Sequence, residues 1–285
     1  MTTPKKDELT GVATTGHEWD GLTELNNPLP RWWLYVLYAT IVFGVIYAFF
    51  VPPIPGVEGI LPTTRQALSE KVAEAREGQA SFLAGIQDSD AAAIRADGEL
   101  FAFATAGGAA SFAENCAPCH GAGGAGAPGY PSLADDVWLW GGTLADIQTT
   151  IVHGVRNNDD PDARFSEMLA FGRDGILNGV QIGEVANYVL SLSGRPDDPA
   201  AAARGQEIFA ENCTSCHGEN GEGMQELGAP ALDDAIWLYG GTLADIEAQV
   251  TNPKHGVMPA WGGRLDETTI KMLTVYVSTL GGYKE

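Results

Sequence analysis

Residues 112–120 read Phe112-Ala113-Glu114-Asn115-Cys116-Ala117-Pro118-Cys119-His120, and residues 209–217 read Phe209-Ala210-Glu211-Asn212-Cys213-Thr214-Ser215-Cys216-His217. The repeat extends outward from this stretch in both directions. Gly108 and Gly205 stand at matching offsets ahead of it, and Trp138-Leu139-Trp140-Gly141-Gly142-Thr143-Leu144-Ala145-Asp146-Ile147 returns as Trp237-Leu238-Tyr239-Gly240-Gly241-Thr242-Leu243-Ala244-Asp245-Ile246. His153-Gly154-Val155 is matched by His255-Gly256-Val257, and Tyr188-Val189 by Tyr276-Val277. Two homologous domains follow from this duplication, residues 98–195 and 200–285, hinged at Gly194-Arg195-Pro196-Asp197-Asp198-Pro199.

The C-x-x-C-H spacing has a chemical reason. Two thiols three residues apart reach the two vinyl groups on one porphyrin edge as thioethers, and the adjoining histidine then lies under the iron. Cys116, Cys119, Cys213 and Cys216 are thereby expected to hold two haem c groups covalently, with His120 and His217 as proximal ligands. All four cysteines of the chain are used, so no disulfide framework is expected. A zinc site would need four protein ligands, and each copy offers one Cys pair. A thioredoxin-like redox pair would not explain the histidine after both pairs.

The sixth ligand is expected downstream, on the loop before the last helix of each copy. In the second copy Met258-Pro259-Ala260-Trp261-Gly262 resembles the Met-Pro-x-x-Gly ligand loop of many bacterial cytochromes c, and a soft thioether there favours ferrous iron. Met224 and Met272 are its rivals: Met272 falls in the terminal helix as core, and Met224 follows the motif too closely to cross the haem. The first copy departs from this pattern. Twelve residues separate Val155 from Met168, and Leu169 stands where the second copy has Pro259. Met168 is expected over the first haem, with His153 as the alternative axial ligand. Trp138, Trp140, Trp237 and Tyr239 are expected as pocket walls and core.

Each copy reads as mostly helical. Thr143 with Asp146, and Thr242 with Asp245, are capping pairs that mark a helix start after Gly-Gly. A last helix carries Val185, Tyr188, Val189 and Leu192, or Ile270, Leu273, Val277 and Leu280. The order helix, motif, loop, short helix, ligand loop, terminal helix resembles the class I cytochrome c fold.

Residues 32–51 form a run of 20 without a charge, at 1.5 Å rise about 30 Å, the thickness of a hydrocarbon core. Pro28 and Pro30 precede it, Pro52 and Pro53 end it, and Arg31-Trp32-Trp33 suits a membrane interface. A cleaved signal peptide would have a shorter apolar region followed by a small-residue cleavage pattern. The expected organisation is a cytoplasmic segment 1–31, a transmembrane helix 32–51, a partly helical periplasmic linker 52–97 with the stiff exit 51–56, and the two copies. The fold class is mainly α: one N-terminal transmembrane helix followed by two tandem class I cytochrome c domains. Covalent haem attachment is completed on the periplasmic side in bacteria, which orients the chain in the inner membrane. Within the span Thr40, Gly44 and Ala48 form a small-residue stripe that lets another helix approach, as small residues in any membrane helix can.

The formal charge is −21, which excludes nucleic acid as a partner and favours a basic protein. Of 37 acidic and 16 basic residues, 5 and 3 precede residue 55, leaving 32 against 13 on the part carrying both motifs. This charge suits docking of a basic cytochrome c and suits solubility equally well.

Thr15-Gly16-His17-Glu18-Trp19-Asp20-Gly21, continued by Glu24-Leu25-Asn26-Asn27-Pro28-Leu29-Pro30-Arg31-Trp32-Trp33, then one membrane helix and two C-x-x-C-H copies, resembles the CcoP/FixP dihaem subunit family of cbb3-type cytochrome c oxidases. The resemblance covers essentially the whole chain. It departs at Leu169 and in lacking the second membrane helix of some members. It implies passage of electrons from a soluble or membrane-tethered periplasmic cytochrome c, through two haems, to a monohaem cytochrome subunit and the haem-copper catalytic subunit that reduces oxygen and pumps protons. The membrane helix has no histidine to ligate a haem or copper, so no catalytic site of its own is expected. A free-standing membrane-tethered dihaem shuttle is the alternative. A haem-based gas sensor would need an open sixth site and an output domain.

Overall fold

Asp20 and Gly21 have positive φ of 50° and 83°, the backbone of a two-residue turn whose twist matches paired strands. They join strand β1 (Thr14–Trp19) to the antiparallel β2 (Leu22–Leu25), with Trp19 opposite Leu22. No strand was expected in this segment, although Asp-Gly is its signal. The computed structural model describes residues 4–51, 60–194 and 196–283 and divides into two units, Met1–Gly78 and Gln79–Glu285. The proline-rich exit at 52–56 and the hinge residue Arg195 lie outside the described residues, apart from Val51 at the exit's start.

Helix α1 (Arg31–Phe50) follows Pro30, whose missing N–H costs nothing at a helix start. It is long and apolar enough to cross a membrane, and none of its residues is buried. Helix α2 (Thr64–Asp88) begins in the first unit and ends in the second. Thr63 and Gln66 cap it reciprocally: Gln66 N–H donates to Thr63 Oγ1 at 3.2 Å, and Thr63 N–H donates to Gln66 Oε1 at 2.8 Å.

The second unit continues with α3 (Ala91–Ala96), α4 (Gly98–Asn115), the one-turn α5 (Ala117–His120), α6 (Leu144–His153) and α7 (Gly179–Leu192). The second copy repeats them as α8 (Pro199–Asn212), α9 (Thr214–His217), α10 (Leu243–Thr251) and α11 (Glu267–Val277). The end of α2 and α3 are core rather than spacer: Ile86, Ala91 and Ile94 are buried with Ala104, Met272 and Val275.

The packing crosses between copies. Helix α4 and α6 pack on α11, while α8 and α10 pack on α7. One core joins Phe112, Ile147 and Ile151 of the first copy to Ile270, Leu273 and Val277 of the second. The other joins Val185, Val189 and Leu190 of the first copy to Phe209, Ile246 and Val250 of the second. The ring pairs repeat the pattern, Phe112 with Tyr276 at 5.4 Å and Tyr188 with Phe209 at 5.1 Å between centroids. Gly108 and Gly205 sit where a Cβ would run into the partner helix, at Met272 and Tyr276 or at Glu184 and Tyr188. A short link explains the exchange. Helices α7 and α8 are joined by few residues, and short connections place consecutive helices side by side. Buried Asn187 ties that junction, accepting from Asp198 N–H at 2.8 Å and donating to Gly183 O at 2.9 Å. Once α7 covers α8, α11 is left for α4.

Candidate functional site: two cofactor cavities

Each motif is a single helical turn hung from the end of the preceding helix. Cys116 N–H donates to Phe112 O and His120 N–H to Cys116 O, both at 2.9 Å, and Cys213 and His217 repeat these bonds. The turn brings both thiols and the imidazole of each motif to one cavity wall. Burial, and then the neighbouring thiol, pushes Cys116 and Cys213 up to about 11, so these groups rest as neutral thiols. His120 Nδ1–H donates to Pro131 O, and His217 Nδ1–H donates to Pro230 O, each at 3.0 Å. A carbonyl can only accept, so the proton is on Nδ1 and Nε2 keeps its lone pair. Burial lowers the pKa of both imidazoles and favours this neutral ligand form.

The two cavities measure about 410 and 260 Å³, a scale set by an organic cofactor rather than a bare ion. The first is walled by Cys116, Cys119 and His120 on one side and reaches Met258. The second is walled by Cys213, Cys216 and His217 and reaches Met168. Met168, expected over the first motif, thus lines the cavity of the second, and Met258 lines that of the first. The physical cause is the crossed packing, because the ligand loop travels with the terminal helix that follows it. His153 lines neither cavity; its Nδ1 lies 3.1 Å from Asp160 Oδ2 in the same crossing segment. Met224 and Met272 line neither cavity as well, and Met272 is 8% exposed in the core.

The twelve residues inserted after Val155 make the crossing. Val155 and Met258 exchange both backbone hydrogen bonds, at 3.0 and 2.9 Å, and Asn157 Nδ2 donates to Met258 O at 3.1 Å. The first copy thus holds the backbone of the second copy's methionine. Of the expected aromatic walls, Trp138 and Trp140 line the first cavity, Trp237 the second and Tyr239 both. Trp138 Nε1 donates to Gly282 O at 2.9 Å, whereas Trp237 Nε1 and His255 Nε2 are buried with no protein partner among the described residues. An indole N–H can only donate, so the Trp237 N–H is open to an acceptor. Two thiols, an imidazole nitrogen and a thioether lining each cavity fit a haem. Sequence reading missed Arg156, which lines both cavities; the insertion was the signal for it.

Comparison with known proteins agrees with this chemistry. Residues 11–58 match the family model described as the N-terminal domain of cytochrome oxidase-cbb3, FixP. Residues 105–193 match cytochrome c, and residues 200–277 match cytochrome c oxidase, cbb3-type, subunit III. The chain is 52% identical to the cbb3-type cytochrome c oxidase subunit CcoP of Azospirillum brasilense over 100% of both chains. It is 53% identical to subunit FixP of Azorhizobium caulinodans over 97% of this chain and 95% of that one. To subunit CcoP of Cereibacter sphaeroides it is 46% identical over 98% of both. With both cytochrome c copies, the N-terminal domain and the full length accounted for, the chain belongs to the CcoP/FixP family of cbb3-type cytochrome c oxidase subunits.

Proposed function

We propose that this subunit carries two covalently attached haem c groups and passes electrons from a periplasmic cytochrome c towards the oxygen-reducing subunit of a cbb3-type oxidase. The observation that carries the reading is the meeting, in each of two cavities, of one C-x-x-C-H turn with one methionine. Bound haem c supplies a one-electron couple. Cys116 and Cys119 would hold the first group with His120 and Met258, and Cys213 and Cys216 the second with His217 and Met168. The aromatic and aliphatic walls of each cavity would shield the group from water, so that it would serve electron transfer. Helix α1 anchors the chain in the inner membrane with both motifs on the periplasmic side.

The donor is a basic soluble or membrane-tethered cytochrome c, drawn by the acidic surface. Asp135, Asp136, Asp233 and Asp234, from equivalent loops of the two copies, repel one another. That concentration of charge raises the encounter rate with a cationic partner. Electrons leave towards a monohaem cytochrome subunit and the haem-copper subunit. The test is the intact mass of the purified chain, which exceeds the polypeptide by two haems, together with recovery of the haem-copper subunit on a tagged chain in mild detergent. A chain with two haems that brings no oxidase subunit is the free-standing shuttle instead.

A further inference from the structure

The two cavities share a wall. Leu139, Arg156, Leu238, Tyr239, Lys254 and His255 line both. Among the described residues, Arg156 and Lys254 are the only arginine or lysine lining either cavity. In a chain of net charge −21 this placement is selective. Neither cation comes from the duplication: Arg156 opens the inserted segment, and Lys254 stands opposite Val152 of the first copy.

Arg156 is held in place by its surroundings. Its backbone adopts φ 49°, unusual for a side chain with a Cβ, at the point where the chain crosses between cavities. Its Nε donates to Gly256 O at 2.8 Å and its Nη1 to Ser166 O at 2.9 Å. These two carbonyls come from the two segments that meet at Val155. Beside it, His255 Nε2 is buried without a protein partner among the described residues. A guanidinium fixed this way presents its remaining N–H groups without further ordering.

We propose that the propionate carboxylates of both haems turn to this wall, and that Arg156 binds carboxylate from both sides with Lys254 and His255 completing the site. This rests on the haem reading above. The propionates are the anionic groups of a haem, and a partly buried carboxylate requires cations and donors. The thioether edge is committed to the cysteine turn, which leaves the opposite edge of each ring for the shared wall. Arg156 would then stand between the two groups. A cation there stabilises the reduced state of both.

The experiment is a spectroelectrochemical titration of the full-length protein, resolved into its two haems, after intact mass has established two haems per chain. Arg156→Gln lowers the reduction equilibrium constant of both haems by about tenfold, about 59 mV each for a one-electron couple. Arg156→Lys, which keeps the charge, restores most of the shift, as a purely structural role would not. With two haems attached, movement of one haem only, or of neither, overturns the shared site. Should Arg156→Gln attach fewer than two haems, Lys254→Gln decides, because Lys254 is exposed and its backbone bonds to Gln249 are retained. A lowering of both constants by about threefold supports the proposal; a shift in one or none overturns it. A parent chain with no haem would instead overturn the reading beneath it.

Discussion

Pro131 and Pro230 do for the two imidazoles what no residue of the C-x-x-C-H motif can do, since their carbonyls select the tautomer that leaves Nε2 free. The motif was legible as a string, and this second requirement was not, because it depends on a carbonyl 11 or 13 residues away returning to the ring. The methionines carry the sharper test. In a Cys116→Ala/Cys119→Ala background, which leaves the haem of the second motif, Met168→Leu should abolish the near-infrared methionine-to-iron band and Met258→Leu should leave it. Ligation within each copy requires the reverse. His153→Ala in the otherwise unchanged chain should leave the band unaltered, since its side chain is turned to Asp160.

At the scale of elements, the crossings α4 with α11 and α8 with α7 depend on Gly108 and Gly205, where the partner helix occupies the space of a Cβ. Gly108→Ala or Gly205→Ala forces those helices apart and should cost about 1–3 kcal/mol in denaturant unfolding, with haem attachment reduced if the crossing forms before it. Helix α7 tests the caps separately. Asn178 accepts from Val180 and Gln181 N–H at 3.0 and 3.1 Å while Gln181 Oε1 accepts from Asn178 N–H at 3.0 Å. Asn178→Ala should therefore cost about 1 kcal/mol without moving either haem's spectrum. Helix α1 has open space around Gly44. Enlarging it in Gly44→Leu should lower recovery of the oxidase subunits with a tagged chain while both haems stay spectroscopically normal.

For the molecule as a whole, the exchange makes one half contiguous. Met168, α7, α8, α9 and α10 follow one another in the chain, whereas the other half is assembled from both ends of the second unit. A fragment of residues 164–255 should attach haem and show the methionine band, and a fragment of residues 98–195 should attach haem with its sixth position unfilled by methionine. The acidic loops meet as well. Burial raises the Asp234 pKa, and repulsion from Asp233, Asp135 and Asp136 adds to this. The folded state thus holds this proton more tightly than the unfolded chain, so the carboxylate opposes folding at neutral pH and its cost disappears as pH falls through the raised pKa. Asp234→Asn should stabilise the protein at pH 7 by less than about 1 kcal/mol, the gain vanishing at low pH and shrinking in salt.

What the sequence determined by itself was every feature whose physics is local. The cysteine turns, the capping pairs at Thr143 and Thr242, the apolar run of α1 and the two-fold repetition all lie in neighbouring residues, where spacing alone sets geometry. The hairpin at Asp20-Gly21 was equally local and was passed over. The pairing of parts was decided by the tertiary structure alone. Both copies carry much of the same apolar pattern, and the residues that tell the pairings apart act only across helices: Glu184 of α7 pairs with Arg204 of α8, whereas Met272 of α11 is buried beside Gly107 of α4. The short link between α7 and α8, and the insertion after Val155 that lets the chain cross, favour the same pairing. Only then do Met258 and Met168 change places and Arg156 come to stand between the two cavities.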